Sequence, residues 1–132
     1  MSQRQRRLKI LIVDDNQAVC DILSQLCSFL GHEVLSAKTG AEGLDLVQRE
    51  ADVDMVFADY KMPVMDGVAM VERIKAQNPN LPVVLITGSV GVTDSDLKRA
   101  RFDAMVHKPF ELKSITECIE RFFPQTGEFA GN

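Results

Sequence analysis

Four short apolar runs in this chain each break at a polar residue of a reactive type. Leu8 to Val13 stops at Asp14 and Asp15, Met55 to Ala58 at Asp59, Val83 to Ile86 at Thr87, and Ala104 to Val106 just before Lys108. Runs of this length and Val/Ile/Leu content read as strands buried on both faces. As parallel strands of one sheet they bring three carboxylates, a hydroxyl and an ammonium to one edge, the carboxyl end where open α/β sheets hold their ligands.

The intervening segments have helical spacing. Val19, Ile22, Leu23, Leu26, Phe29 and Leu30 recur at three and four, which predicts a helix with one buried face ending at Gly31. Glu33 to Ala37 reads as a short strand, and Ala41 to Arg49, with Leu44, Leu46 and Val47, as a helix opened near Thr39 and Gly40. Asp66-Gly67 leads into a helix carrying Val68, Val71 and Ile74 and closed by Asn78-Pro79; Pro82 suits the start of the next strand. Thr93 to Arg101 reads as a short polar helix capped by Thr93 or Asp94, and Glu111 to Phe123 as a last helix with Leu112, Ile115, Ile119 and Phe122 as its stripe. Five strands alternating with five helices predict an α/β fold with right-handed crossovers and a doubly wound parallel sheet.

At 132 residues, with 45% hydrophobic and 26% charged content, the chain suits a single domain over 8–123. Residues 1–7 read as a flexible basic tail and 124–132 as a C-terminal tail or the start of a linker. Arg4, Arg6 and Arg7 set aside, 12 basic residues face 19 acidic ones. That balance argues against direct binding to nucleic acid or to an anionic membrane. The first apolar run is too short for a secretion signal or a membrane span, so a cytoplasmic location is expected. Cys20, Cys27 and Cys118 are odd in number, and seven residues of helix put the first two about 10 Å apart, too far for a disulfide. Reduced, packed thiols are expected.

Asp14, Asp15 and Asp59 at neighbouring strand ends repel, each pair by about 4 kcal/mol at ~4 Å and an effective dielectric near 20. Either some carboxyls stay protonated or a hard divalent cation sits among them. Oxygen donors without Cys or His favour Mg²⁺, with Mn²⁺ as the alternative. A metal, an ammonium and a hydroxyl around one further carboxylate suit phosphoryl transfer onto an Asp oxygen, where the protein has chiefly to position and to neutralise. Asp59 is then the nucleophile, Asp14 and Asp15 hold the metal, Lys108 and Thr87 contact the phosphoryl oxygens, and Gly88 leaves room beside them. A lone Asp at a strand end is more often a cap or turn former, and Thr87-Gly88 or Lys108-Pro109 alone reads as a turn. Their joint arrival at one edge reverses those odds. His32 and His107 read as packed or surface histidines, and Met55, Met62, Met65, Met70 and Met105 as gap fillers.

Ile10-Leu11-Ile12-Val13-Asp14-Asp15-Asn16, Asp59-Tyr60-Lys61-Met62-Pro63-Val64-Met65-Asp66-Gly67, Leu85-Ile86-Thr87-Gly88 and His107-Lys108-Pro109-Phe110 together resemble a receiver domain of the two-component response regulators, of the chemotaxis-regulator kind, from about Lys9 to Phe123. The resemblance implies a flavodoxin-like sheet of order 2-1-3-4-5. It implies a phosphoryl group passed to Asp59 from the phosphohistidine of a sensor histidine kinase or a histidine phosphotransfer protein. It also implies Mg²⁺ on Asp14, Asp15, Asp59 and the Lys61 carbonyl, and a cis Lys108-Pro109 bond. In the family the threonine moves inward on phosphorylation and an aromatic three residues before the lysine follows, reshaping a surface that a downstream protein reads. Here that switch position is Met105, a departure that removes the ring and its hydroxyl. Lys61 and Ser89 stand where the family tunes water access, and neither offers a carboxylate or amide to orient water, so slow to intermediate self-dephosphorylation is expected.

The expected role is thus a signalling switch that catalyses only its own phosphorylation and slow dephosphorylation, either alone or as the receiver fragment of a hybrid histidine kinase. A Mg²⁺-dependent aspartyl-phosphate phosphohydrolase is the alternative; Lys61, where such enzymes place a second acid, argues against it. A pseudo-receiver is disfavoured by the intact acidic trio, and nucleotide binding by the lack of a Gly-x-Gly-x-x-Gly or P-loop run.

Overall fold

The computed structural model describes residues 7–50, 52–59, 67–88, 95 and 101–124. Its strands are β1 (Lys9–Val13), β2 (Glu33–Ala37), β3 (Met55–Asp59), β4 (Val83–Thr87) and β5 (Ala104–His107). All adjacent pairs run parallel, in the order β2-β1-β3-β4-β5. This is the doubly wound, flavodoxin-like order that the family resemblance implies. The described helices are α1 (Gln17–Phe29), α2 (Gly40–Arg49), α3 (Gly67–Gln77) and α4 (Leu112–Phe122). The polar helix expected over Thr93 to Arg101 falls outside the described residues, except for Ser95, which is helical, and Arg101.

Side chains alternate across a strand, so each strand feeds two cores. Ile10, Ile12, Met55, Phe57, Val84, Ile86 and Val106 meet Cys20, Leu23 and Cys27 of α1 and Ile115, Cys118 and Ile119 of α4. Leu11, Val13, Val56, Ala58, Val83 and Leu85 meet Val47 of α2 and Met70, Val71 and Ile74 of α3 on the opposite face. Each fully buried Leu, Ile or Phe contributes roughly 1.5–3 kcal/mol, so these two layers supply most of the drive to fold. α2 lies especially close to the sheet at Gly43, where a Cβ would stand 2.8 Å from Val13 Cγ2 and 3.2 Å from Met70 Sδ. All three cysteines are buried and free.

The apolar stripe of α1 needs a correction of phase. Cys20, Leu23 and Cys27 form its buried line, whereas Ile22 is 49% and Phe29 77% exposed. At about 100° per residue, Ile22 points well away from the direction that Leu23 takes. Leu112, in the first turn of α4, is also exposed. Gly31, at φ +93°, ends α1 by letting its own N–H reach Ser28 O (2.9 Å) and that of His32 reach Cys27 O (3.1 Å). Thr39 caps α2 by accepting from Glu42 N–H (3.0 Å), and Glu42 reaches back to accept from Lys38 N–H (2.7 Å).

Ion pairs and a buried imidazole line the amino edge of the sheet. Lys9 Nζ lies 2.8 Å from Asp52 and 3.1 Å from Glu50, and those two hydrogen bonds, Asp52 first, hold its pKa above the usual lysine range. The buried Lys75 ammonium donates to Asp103 Oδ2 (2.7 Å) and to Leu81 O (2.8 Å), while Val83 N–H donates to the same Asp103 oxygen (2.8 Å). His32, also buried, accepts the Leu8 N–H at Nδ1 (3.1 Å). Among the described residues no helix is long and apolar enough to cross a membrane.

Candidate functional site

Register brings the acidic residues level. Val13 of β1 pairs with Ala58 of β3, so the residues that follow, Asp14 and Asp59, emerge side by side at the carboxyl edge. Asp14, Asp15 and Asp59 each offer a carboxylate oxygen within 4.8 Å of the others. Asp14 is buried at 2% exposure, Asp59 is partly buried and Asp15 open to solvent. From the other side of the sheet, Thr87 ends β4 almost fully buried, and Lys108 follows β5 with its N–H donating to Thr87 O at 2.8 Å. The Lys108 ammonium reaches inward to 3.5 Å from Asp14 Oδ2 and 3.9 Å from Asp59 Oδ1. Four side chains, those of Asp14, Asp15, Asp59 and Lys108, thus gather at the carboxyl edge, with Thr87 joined to Lys108 through its backbone carbonyl. The Lys108-Pro109 bond is cis.

The other sequence candidates are less tightly bound to this cluster. Gly88 flanks the Lys108 stem, but a Cβ there would meet Lys108 Cδ at an ordinary 3.8 Å, so packing against that stem does not by itself require glycine. Met105 is half-buried in β5 and packs against the core layer that includes Leu85 and Phe102. Lys61 and Ser89 lie outside the described residues. His107 sits opposite Thr87 in the β4–β5 register, with its side chain exposed.

A divalent cation fits these donors. Three carboxylates against one ammonium leave an excess of two negative charges, and every donor is a hard oxygen, the set that suits Mg²⁺ or Mn²⁺. Asp14 Oδ2 is buried without a hydrogen-bond partner, and an orphaned buried acceptor is costly unless something positive meets it.

Two neighbours hold Asp14 through bonds that sequence spacing does not show. Asn16 caps α1, its side chain accepting from Val19 N–H (3.2 Å) while its own N–H donates to Asp14 Oδ1 (2.9 Å). The cap was legible as an Asn just before a helical run; the bond back to Asp14 was not. Cys20 Sγ donates to Asp14 O (3.2 Å), and burial, followed by the Asp14 charge, pushes its pKa up and keeps the thiol a donor.

An acidic cluster of this kind, with a threonine and a lysine at the same carboxyl edge of a doubly wound sheet, defines a class. Residues 10–120 match the family model of the response regulator receiver domain, and the chain belongs to that family. Receiver domains are the signalling switches of two-component systems and phosphorelays. Among its relatives is sporulation initiation phosphotransferase F of Bacillus subtilis, 31% identical over 118 residues, which cover 88% of this chain and 94% of that protein. Transcriptional regulatory protein ZraR of Salmonella typhimurium is 35% identical over 124 residues, 92% of this chain, yet the chain spans only 28% of that regulator's length. In structure it is similar to chemotaxis protein CheY4 of Vibrio cholerae, with a TM-score of 0.82 at 26% identity over 89% of this chain and 99% of that one.

Proposed function

We propose that this chain is a phosphorylation switch in which Asp59 accepts a phosphoryl group from the phosphohistidine of a sensor histidine kinase or a histidine phosphotransfer protein. An Asp59 carboxylate oxygen forms the new P–O bond as the donor's P–N bond breaks, and the departing imidazole takes up a proton. Asp14, Asp15 and Asp59, with the Lys61 carbonyl, would hold Mg²⁺, which supplies positive charge to the phosphoryl oxygens as negative charge spreads over them. Lys108 supplies the remaining charge from the opposite side, and the Thr87 hydroxyl donates to a phosphoryl oxygen. Thr87 and Met105 then carry the change toward the surface around β5 and α4, where a downstream protein reads it.

The observation that carries this reading is the orphaned Asp14 Oδ2, buried beside two further carboxylates and the Lys108 ammonium. One ammonium at 3.5 Å offsets only part of the charge of three carboxylates, and a cation offsets the rest.

Incubation with acetyl phosphate and Mg²⁺, followed by intact mass measurement, is expected to show one added phosphate. Chelation of the metal, or the Asp59→Asn substitution, is expected to abolish it. The same adduct in Asp59→Asn would move the acceptor elsewhere. Sustained phosphate release from small phosphomonoesters would instead make the chain a phosphohydrolase.

A further inference from the structure

Asp14 is held on three of its four polar atoms. Its N–H donates to Ala37 O at 3.0 Å, its carbonyl accepts the Cys20 thiol at 3.2 Å, and Oδ1 accepts the Asn16 N–H at 2.9 Å. Only Oδ2 lacks a hydrogen bond, and it faces the Lys108 ammonium at 3.5 Å. The two oxygens are equivalent, so a half-turn about the last side-chain bond changes nothing; the angles in between, which would take both oxygens out of line, are the ones the Asn16 N–H opposes.

That N–H is itself fixed from the helix. Asn16 sits at φ −89° and ψ 112° because its side-chain oxygen accepts from Val19 N–H and its backbone carbonyl accepts from Cys20 N–H (3.1 Å). An exposed side chain at the mouth of α1 therefore sets the aim of a buried carboxylate.

We propose that Asn16 is a positioning residue for cation uptake: by capping α1 it holds its own N–H on Asp14 Oδ1, so that Oδ2 alone is presented to the ion, and the Cys20 thiol steadies Asp14 from behind. This rests on the reading of the acidic cluster as a cation site. Mg²⁺ demands a near-ideal octahedron with short oxygen distances, so a ligand free to rotate binds it poorly. Partners that orient a ligand without touching the metal commonly govern affinity by about 10- to 100-fold.

The test is titration of the full chain with MgCl₂, without any phosphodonor, followed by calorimetry or amide NMR shifts, with the thermal midpoint of the metal-free protein measured in parallel. Asn16→Ala is expected to raise the Mg²⁺ dissociation constant about tenfold, and Asn16→Ser, whose hydroxyl also caps, to return most of the affinity. Asn16→Gly, a mild change for a helix start, is expected to weaken binding with little loss of thermal midpoint. A lowered midpoint with wild-type Mg²⁺ affinity would make Asn16 a helix cap only and overturn the proposal. Equal weakening in Asn16→Ala and Asn16→Ser would overturn it too, because the cap would not be the cause. A wild-type chain that takes up no Mg²⁺ would overturn the reading of the site along with it.

Discussion

One ammonium stands between two carboxylates at the carboxyl edge, since Lys108 Nζ is 3.5 Å from Asp14 and 3.9 Å from Asp59. A divalent cation on those oxygens meets it as a competitor, at an interaction of about 4 kcal/mol per unit-charge pair for ~4 Å and an effective dielectric near 20. Lys108→Met keeps most of the stem and deletes the charge. The expected outcome is tighter Mg²⁺ binding together with slower formation of the phosphate adduct, read by titration and by a time course of intact mass. Unchanged values for both would remove Lys108 from the chemistry. That Asp14, Asp15, Asp59, Thr87 and Lys108 fall at or just past strand ends was legible in the sequence, because each stands within two residues of the end of an apolar run. The bonds from Asn16 and Cys20 to Asp14 were not, since they depend on which way one side chain turns. His32 and Lys75 were equally hidden, their partners Leu8 and Asp103 lying 24 and 28 residues away.

At the scale of strands and helices, β2 runs over Glu33–Ala37 as its composition predicted, and the other strands agree to within a residue or two. The solvent-facing positions of α1 were misread, because Ile22 and Phe29 follow the same spacing of three and four as the residues that are buried. α2 is held close to β1 by the missing side chain of Gly43, and Val13 has no flexible end with which to yield. Gly43→Ala is therefore expected to destabilise the fold by about 1–3 kcal/mol, measured as a lower urea midpoint, despite the better helix propensity of alanine. A gain in midpoint would show that α2 can move outward freely. The junction of β1 and β2 carries its own pH dependence. Burial lowers the His32 pKa from its usual 6.5, with the Asp54 charge acting the other way, so the neutral ring that accepts the Leu8 N–H is the native form. The unfolded chain takes that proton at a higher pH than the folded one, so this stabilisation is present above about pH 6.5 and is lost as the pH falls through the lowered folded value. Between pH 7 and pH 5 the urea midpoint of the wild type should drop further than that of His32→Gln, whose side-chain carbonyl can accept the same N–H without titrating. Parallel curves would remove His32 from the pH response.

Across the whole molecule, folding itself assembles the acidic cluster, because Asp14 and Asp59 are neighbours only once β1 and β3 pair. A ligand that binds only the native state stabilises it, by about 2.7 kcal/mol at a hundredfold excess over its dissociation constant. The thermal midpoint is expected to rise with Mg²⁺ in the wild type and to rise much less in Asp15→Asn; the same slope in both would exclude Asp15 as a ligand. Alternation of strands and helices was enough to predict a parallel sheet covered on both faces. The order of the strands came only with the family resemblance, because hydropathy fixes which residues are buried but not which strand lies beside which. The two edges of that sheet differ in kind, one crowded with like charges and the other closed by Lys9, Lys75 and their acidic partners. A five-residue strand such as β1 is about 16 Å long, some two Debye lengths at physiological salt. Recharging the exposed Asp52 would therefore act on the exposed Asp15 at the opposite rim only weakly through solvent, and would be felt first at its own edge, where it is the 2.8 Å partner of Lys9.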